Sequence, residues 1–378
     1  MILSKCRVCK NKLDKKPLLQ YQNLPRAAQY LPDKQSLKND KGINLEIYQC
    51  SGCGLVQLNN KPVSYYKQVV RAAGISSEMK AFRLNQFSSF TKKYNLKNKK
   101  VIEVGCGRGE YLTLIKQCVA DAYGLEHSRE SVNYCVNNNL KVTAGFIKNE
   151  SYKLSSEPFA AFFILSFLEH LPHPNKILKG IRNNLSDNAV GLVEVPNFDM
   201  ILQKKLFSEF IVDHLFYFTK DTLKSTLMIN GFDILECNEI WHDYIISATV
   251  KKKTKLNISH FYKHQMKIKN DIEKYINLFK DKKVAIWGAG HQALTIMSLA
   301  NLTGKVKYVI DSAPFKQGKY TPATHIPIVA PDVLNSNPVE AIIVIAGSYS
   351  DEVAKIIRQK YNKKINIAIL RDFGLEVI

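Results

Sequence analysis

The sequence predicts an α/β protein in which two doubly wound parallel sheets follow a small N-terminal lobe. Short apolar segments alternate with helical segments from about residue 78, and the alternation resumes after a polar, basic stretch near residue 253. A glycine-rich turn follows the first apolar segment of each alternating region. Residues 1–60 instead carry two Cys-x2-Cys pairs and few apolar runs. Over 378 residues this organisation predicts three domains, at residues 1–65, 66–252 and 253–378.

Local periodicity predicts the individual elements. Phenylalanines at helical spacing indicate a helix over residues 78–94. The predicted strands are the short apolar segments at residues 100–104, 122–125, 159–166, 189–195, 284–287, 306–310, 341–346 and 365–370. The other predicted helices lie at residues 111–118, 131–138, 258–279 and 291–302.

Two cysteine pairs in the N-terminal lobe have the spacing of a metal site. Cys6 and Cys9 form one pair, and Cys50 and Cys53 form the other. Two close thiolate pairs can complete a tetrahedral Zn²⁺ site, and a closed four-thiolate site is structural. Gly54 suits the tight turn that directs backbone amides at sulfur. Redox activity of the Cys-x2-Cys pairs, or cysteines without a metal, are the alternatives.

A glycine loop follows the strand predicted at residues 100–104. Glu103 lies in that strand, and Gly105, Gly107 and Gly109 follow at alternate positions, so the backbone can turn tightly and approach a ligand. This Glu-x-Gly-x-Gly-x-Gly pattern differs from the dinucleotide fingerprint and resembles motif I of class I S-adenosylmethionine-dependent methyltransferases. The resemblance implies that Glu103 contacts the methionine amine through the loop. Glu126 ends the next strand, where an acid can accept the ribose hydroxyls. A simple turn in an α/β protein is the alternative.

Two further segments resemble the same class of methyltransferase. Residues 165–172 are similar to the Leu-Glu-His-Leu stretch of many such enzymes. The resemblance places Glu169 and His170 near the methyl end of the cofactor, where they act in catalysis or order the loop. Phe146 follows the strand that usually flanks the adenine, and it is expected to pack on that ring.

The whole chain resembles the sugar C-methyltransferase family, which methylates a carbon of nucleotide-linked deoxy-ketosugars. Its members combine a double Cys-x2-Cys zinc lobe, a central domain with motif I and a C-terminal Rossmann-like domain. Residues 23–31 resemble the family segment that lines the substrate cleft. Residues 286–291, 309–312 and 316–328 resemble its nucleotide-sugar-binding half, where a glycine turn suits a pyrophosphate and lysines add positive charge. The implied substrate-binding residues there are Gly288, Gly290, Asp311, Lys316 and Lys319.

The resemblance also suggests a catalytic base. The family carries a Tyr-x-Glu-His run before a Tyr-Phe pair, and its histidine is the base; here the stretch begins with Ile211, followed by Asp213 and His214. Tyr217 and Phe218 keep the aromatic pair and Tyr217 is expected to contact substrate. A histidine with a carboxylate neighbour can be poised near neutral pH to remove a proton. The missing tyrosine leaves open methyl transfer to oxygen or nitrogen, and His214 as a loop histidine that caps a helix.

Bulk composition adds little to these predictions. The formal net charge of +21 fits a polyanionic partner, an acidic small substrate or a general bias towards lysine. The chain shows no signal peptide and no apolar segment long enough for a membrane span, so a cytoplasmic protein is expected. We expect S-adenosylmethionine, Zn²⁺ and a nucleotide sugar as ligands, and nucleic acid is disfavoured. An RNA methyltransferase and a non-catalytic nucleotide-binding protein are the alternative functions, and the oligomeric state stays open.

Overall fold

The computed structural model describes residues 4–29, 31–67, 75–280, 283–361 and 363–378. Tyr30, within the segment expected to line the substrate cleft, lies outside them. The chain divides into two units, Met1–Thr254 and Lys255–Ile378. Among the described helices, none combines the length and apolar character required to cross a membrane.

The first unit contains a small antiparallel sheet and a large mixed sheet. Its strands are β1 (Leu19–Leu24), β2 (Ile43–Gln49), β3 (Val56–Leu58), β4 (Lys100–Val104), β5 (Asp121–Glu126), β6 (Lys141–Ala144), β7 (Phe159–Leu165), β8 (Leu185–Pro196), β9 (Phe216–Tyr217), β10 (Phe232–Ile240) and β11 (Ile245–Lys252). Its helices are α1 (Ser77–Lys93), α2 (Glu110–Cys118), α3 (Arg129–Asn137), α4 (Pro174–Asn183), α5 (Phe198–Gln203) and α6 (Lys220–Ile229).

The large sheet has the strand order β10-β11-β8-β7-β4-β5-β6. Strands β4 to β8 are parallel, and β11 runs antiparallel to both of its neighbours. Strand β7 (FAAFFIL) is apolar throughout and almost wholly buried, as expected for a strand covered by helices on both faces. The chain order reverses between β4 and β7, and ligands of open α/β sheets bind at the carboxyl ends of the strands beside such a point.

The helices of this sheet begin at residues that cap them. The Ser76 side chain accepts a hydrogen bond from the Met79 amide at the start of α1, and Ser128 does the same for Ser131 at the start of α3. Helix α6 starts with a capping box between Thr219 and Thr222, so its first turn is fixed directly after β9.

The small sheet has the order β1-β2-β3-β9. Strands β1 to β3 come from the N-terminal lobe, whereas β9 comes from residues 216–217 of the following domain. In the antiparallel pairing of β3 with β9, Val56 lies opposite Tyr217 and Gln57 opposite Phe216. The lobe therefore shares its sheet with the segment that carries His214.

The second unit has its own sheet, with the order β14-β13-β12-β15-β16-β17. Its strands are β12 (Val284–Trp287), β13 (Val309–Ile310), β14 (Ile328–Val329), β15 (Ala341–Val344), β16 (Asn366–Arg371) and β17 (Gly374–Val377). Its helices are α7 (Ser259–Ile276), α8 (His291–Leu299), α9 (Val333–Ser336) and α10 (Ser350–Lys360). All strands except β17 are parallel, and the order reverses between β12 and β15. The predicted fold class, with a second Rossmann-like sheet at the C-terminus, is confirmed.

Candidate active site and metal centre

The glycine loop connects the carboxyl end of β4 to the start of α2. Gly105, Gly107 and Gly109 have φ angles of +77°, +56° and +81°, a region that other residues rarely adopt. A Cβ atom on Gly105 would lie 2.6 Å from the ring of Phe167, and one on Gly109 would lie 2.4 Å from Leu140. A side chain at Gly105 or Gly109 would therefore force the loop to change shape.

Two buried carboxylates lie at this end of the sheet. Glu126, at the end of β5, accepts hydrogen bonds from the Gly107 amide (3.0 Å) and the Ser128 amide (2.8 Å). It thus joins the glycine loop to the start of α3. Glu103 is 1% exposed within β4. Its position under the loop fits the predicted indirect contact with the methionine amine, which stays a prediction.

A cleft opens beside the loop at the carboxyl ends of β4 and β5. Of the predicted cofactor-binding residues, Gly105, Glu126 and Phe146 line it, together with His127, Phe167 and Lys67 among others. The ring of Phe146 lies 6.1 Å from that of His127, and the Lys67 ammonium lies 5.4 Å from the Phe146 ring centre. Sequence reasoning missed His127 and Lys67, although His127 directly follows the predicted ribose-binding acid.

The four predicted zinc ligands come together in the lobe. The sulfur atoms of Cys6, Cys9, Cys50 and Cys53 all lie within 4.8 Å of one another. Those of Cys6 and Cys53 are 3.8 Å apart, and those of Cys9 and Cys50 are 3.3 Å apart. Zn–S bonds of about 2.3 Å in a tetrahedron require sulfur separations of about 3.8 Å, so the residues fit a bound Zn²⁺.

The two cysteine pairs fold into matching turns. The amide of Val8 donates to the Cys6 sulfur, and that of Gly52 donates to the Cys50 sulfur, each at 3.4 Å. Lys10 and Gly54, which follow the two pairs, have φ angles of +70° and +74°. Backbone amides aimed at sulfur stabilise thiolate, the form that binds metal.

A second cluster consists of Glu169 and His170, which follow Phe167 closely in the chain, and of His214. The ligand atoms of these three side chains lie within 4.8 Å of one another, and the two imidazole centres are 4.7 Å apart. Burial raises the pKa of Glu169 to about 8 and lowers that of His170 to about 4. Burial and the neighbouring His170 lower the pKa of His214 as well. Both histidines are therefore neutral at physiological pH.

A hydrogen bond fixes the tautomer of the His170 ring. Nδ1 of His170 lies 2.9 Å from the backbone oxygen of Asp213. A carbonyl only accepts hydrogen bonds, so Nδ1 carries the proton and Nε2 carries the lone pair. The backbone amide of Leu215 also donates to the backbone oxygen of Glu169 at 2.8 Å. The segment around His214 and the 3-10 helix Leu168–His170 thus hold each other in place.

Asp213 corrects one expectation from the sequence. Its carboxylate accepts hydrogen bonds from the Tyr65 hydroxyl (2.7 Å) and the Ala28 amide (3.0 Å), both from the N-terminal lobe. Burial and this carboxylate raise the pKa of Tyr65 to about 12. Asp213 thus secures the lobe against the segment that carries His214, and burial rather than a paired carboxylate governs the pKa of His214.

The aromatic pair after His214 is buried. The hydroxyl of Tyr217 lies 3.0 Å from the backbone nitrogen of Ile211, from which it accepts, and 3.2 Å from the Ile211 oxygen, to which it donates. This hydroxyl therefore supports the loop at the position where the family has tyrosine. A direct contact of Tyr217 with substrate stays a prediction.

A buried ion pair at the same edge of the sheet was not foreseen from the sequence. The Arg83 guanidinium, on α1, bonds the carboxylate of Glu194 near the end of β8, and their side chains are 1% and 0% exposed. Gln86 and Ser247 donate to the same carboxylate. Arg83 also lies 4.8 Å from the ring centre of Tyr111. No short motif marks two residues that are 111 positions apart.

In the second unit the predicted glycine turn follows β12. Gly288 has a φ of +117°, and a Cβ atom there would lie 2.3 Å from the oxygen of Ile345. Gly290 precedes α8, and no atom lies within 4 Å of the position that its Cβ would take. The turn therefore faces open space at the start of a helix, beside the point where the strand order reverses.

Asp311 and Lys316 support this turn. The Asp311 carboxylate accepts from the amides of Ala289 (2.8 Å) and Ala313 (2.9 Å), and it forms a 2.8 Å ion pair with Lys316. Burial opposes ionisation, but these partners outweigh it and lower the pKa of Asp311. The charge of Lys316 is therefore compensated within the domain, whereas Lys319 is exposed.

Similarity to known proteins agrees with this geometry. Residues 77–237 match the family model described as a methyltransferase domain, and residues 248–369 match the model described as the C-methyltransferase C-terminal domain. The C-methyltransferase NovU of Streptomyces niveus is 19% identical over 388 residues, which are 93% of this chain and 91% of NovU.

Two solved structures are similar to part of this chain at low identity. An S-adenosylmethionine-dependent methyltransferase from Clostridium acetobutylicum ATCC 824 is 12% identical, with 46% of this chain and 92% of that one covered and a TM-score of 0.39. A second one, from Aquifex aeolicus, is 17% identical, with coverages of 45% and 92% and a TM-score of 0.36.

Both domain matches and the full-length relative agree with the resemblance drawn from the motifs. The chain is therefore an S-adenosylmethionine-dependent methyltransferase, and its two domain matches and its similarity to NovU support the resemblance to the sugar C-methyltransferase family.

Proposed function

We propose that the chain methylates a carbon atom of a nucleotide-linked keto sugar and that His214 removes the proton from that carbon. The observation that carries the proposal is the position of His214. Its imidazole packs against His170, which follows Phe167 in the cofactor cleft by three residues. A neutral base thus lies close to where the methyl group would be held.

The residues of the cleft suit S-adenosylmethionine. The glycine loop gives the methionine portion close access to the backbone, Glu126 can accept from the ribose, and Phe146 can pack on the adenine. When bound, this ligand supplies a methyl group on a sulfonium that departs as a neutral thioether. The protein must then hold the acceptor carbon in line with the methyl group and exclude water.

His214 suits removal of a carbon-bound proton next to a ketone. Its lowered pKa keeps the imidazole neutral, so a lone pair is available. The base takes the proton, the C–H electron pair passes into an enolate, and the enolate carbon attacks the methyl group. The C–S bond breaks towards sulfur, and the imidazolium then returns its proton to solvent. Because Ile211 cannot donate a hydrogen bond from its side chain, another group must face the enolate oxygen.

The other parts of the chain have separate roles in this proposal. Cys6, Cys9, Cys50 and Cys53 hold a structural Zn²⁺, since four thiolates leave no open position for catalysis. The turn at Gly288 and Gly290 receives the diphosphate of the nucleotide-linked sugar at the start of α8. A cytoplasmic location belongs to the proposal, because a thiol cluster of this kind stays reduced there.

Proton exchange without the methyl donor tests the role of His214. The chain is incubated in D₂O with nucleoside diphosphate 4-keto-6-deoxysugars, and deuterium uptake is followed by mass spectrometry. We expect uptake of one deuterium next to the ketone, and loss of at least about a hundredfold in its rate for His214→Gln. His173→Gln is the matched control, because His173 is an exposed histidine of the same region.

The product of the complete reaction tests the accepting atom. With S-adenosylmethionine added, the sugar should gain one methyl group and lose the exchangeable proton. A methylated product that retains this proton would show transfer to oxygen or nitrogen and would refute carbon methylation. Full exchange by His214→Gln would refute the assignment of the base.

A further inference from the structure

Strand β3 lies between the cysteine cluster and the segment that carries His214. It starts three residues after Cys53 and pairs with β9 through Val56 and Gln57. The Leu58 amide adds a hydrogen bond to the oxygen of Leu215 at 3.0 Å. The backbone that leaves the second cysteine turn therefore determines where the residue after His214 lies.

Gln57 contacts both sides of this connection. Its backbone pairs with Phe216, and its side-chain oxygen accepts from the Arg7 amide at 3.1 Å, between Cys6 and Cys9. Gln57 is 0% exposed, and its side chain also interacts with the sulfur of Cys6. An amide N–H directed at sulfur stabilises the thiolate that binds metal.

The far side of the connection is equally well fixed. The Leu215 amide donates to the backbone oxygen of Glu169, and the His170 ring donates to the backbone oxygen of Asp213. The three backbone positions 213–215 are thus held between β3 on one side and residues 169–170 on the other. A shift of β3 would displace both histidines of the cluster, because packed segments move together.

We propose that Gln57 is a positioning residue that couples the geometry of the cysteine cluster to the imidazoles of His170 and His214. The inference deepens the proposed function, and it rests on that function only where catalytic rate is the measurement. Its own consequence is structural: a change at Gln57 alters the surroundings of two histidines to which Gln57 is not hydrogen-bonded in the described part of the chain.

The test replaces Gln57 with methionine, which has a similar length and no amide. The imidazole signals of His170 and His214 are recorded by NMR on histidine-labelled protein and assigned with His170→Gln and His214→Gln. We expect both signals to shift in Gln57→Met, with metal content and S-adenosylmethionine affinity within twofold of the wild-type chain. On a keto sugar substrate, kcat should fall by about tenfold or more with little change in KM.

Gln49→Met is the matched control. Gln49 lies in β2, is exposed, and donates from its side chain to the oxygen of Gly54 in the second cysteine turn at 3.1 Å. Gln49 therefore contacts the second cysteine turn but does not pair with β9. We expect its histidine signals and kcat to match those of the wild-type chain.

Unchanged histidine signals in a metal-loaded Gln57→Met chain would overturn the inference. If that variant loses its metal, Gln57→Asn keeps the amide one methylene shorter, and the same signals must shift in it. An inactive wild-type chain would refute the proposed function alone, because the NMR comparison needs no turnover.

Discussion

Replacement of Arg83 by methionine should strongly destabilise the first unit. The change removes the guanidinium that neutralises Glu194, while the methionine side chain still fills much of the space over Tyr111. Both members of the ion pair are essentially without solvent contact, at 1% and 0% exposure. A charge left in such a place keeps its full desolvation cost.

The expected size of the effect follows from the partners that remain. Removal of one member of a buried ion pair costs about 3–5 kcal/mol of unfolding free energy. Glu194 keeps hydrogen bonds from Gln86 and Ser247, which favours the lower end, near about 3 kcal/mol. With a urea dependence of about 3 kcal/mol per molar, the unfolding midpoint should fall by about 1 M.

The two tryptophans of the chain allow this to be measured in one unit. Trp241 lies in the first unit, 5.1 Å from the ring of Phe82, and Trp287 lies in β12 of the second. In a Trp287→Phe background, the fluorescence of Trp241 reports urea unfolding of the first unit alone. The same titration is then recorded with and without Arg83→Met.

A matched arginine provides the comparison. Arg108 pairs with Glu130 at the surface, with side-chain exposures of 55% and 79%, so Arg108→Met should cost less than about 1 kcal/mol. The double variant Arg83→Met with Glu194→Gln should regain part of the loss, because no charge is left unpaired. An Arg83→Met loss as small as that of Arg108→Met would refute the reasoning.

Three other outcomes follow from the structure. Gly105→Ala should weaken S-adenosylmethionine binding at least about tenfold by calorimetry, since its Cβ would lie 2.6 Å from Phe167. Gly304→Ala is the control, with a φ of +75° but open space around it, and equal binding by both variants would contradict the steric argument. The pKa of Glu169, about 8 when folded against 4.5 normally, makes the folded chain bind an extra proton between these values. From pH 6.5 to 8 the unfolding free energy of the wild-type chain should therefore fall about 1.5 kcal/mol more than that of Glu169→Gln. If the unfolding free energies of the two chains change in parallel with pH, Glu169 is not protonated in the folded chain. Gly290→Val should weaken nucleoside diphosphate binding at least about tenfold with an unchanged melting temperature, because open space surrounds that position; unchanged affinity would exclude the turn as the diphosphate site.

The sites that the sequence predicted best are those encoded by local spacing. The glycine loop and each Cys-x2-Cys turn need particular backbone angles within a few consecutive residues, so the residue types reveal them directly. The structure places Phe146 and Glu126 beside the glycine loop, because parallel strands bring their carboxyl ends to one edge of a sheet, and their contacts with the cofactor stay predictions.

Long-range polar contacts escaped prediction for a physical reason. Adjacency in sequence suggested that Asp213 would poise His214, but its carboxylate reaches Tyr65, 148 positions away. The pairing of Arg83 with Glu194 likewise leaves no local pattern. Strand β9 has only two residues, too few for an alternating pattern, so its place in the sheet of the lobe could not be foreseen.

The shared sheet has a consequence for recombining parts of related enzymes. A chimera joined near residue 65 would take β3 and β9 from different parents, and a mismatch between them would expose a strand whose three residues are all buried here. Such an unpaired apolar edge is prone to add strands from other molecules. A junction after residue 254 leaves that sheet intact and exchanges only the C-terminal unit. Libraries that seek new acceptors should therefore shuffle the chain at this junction and inherit the N-terminal lobe together with its methyltransferase domain.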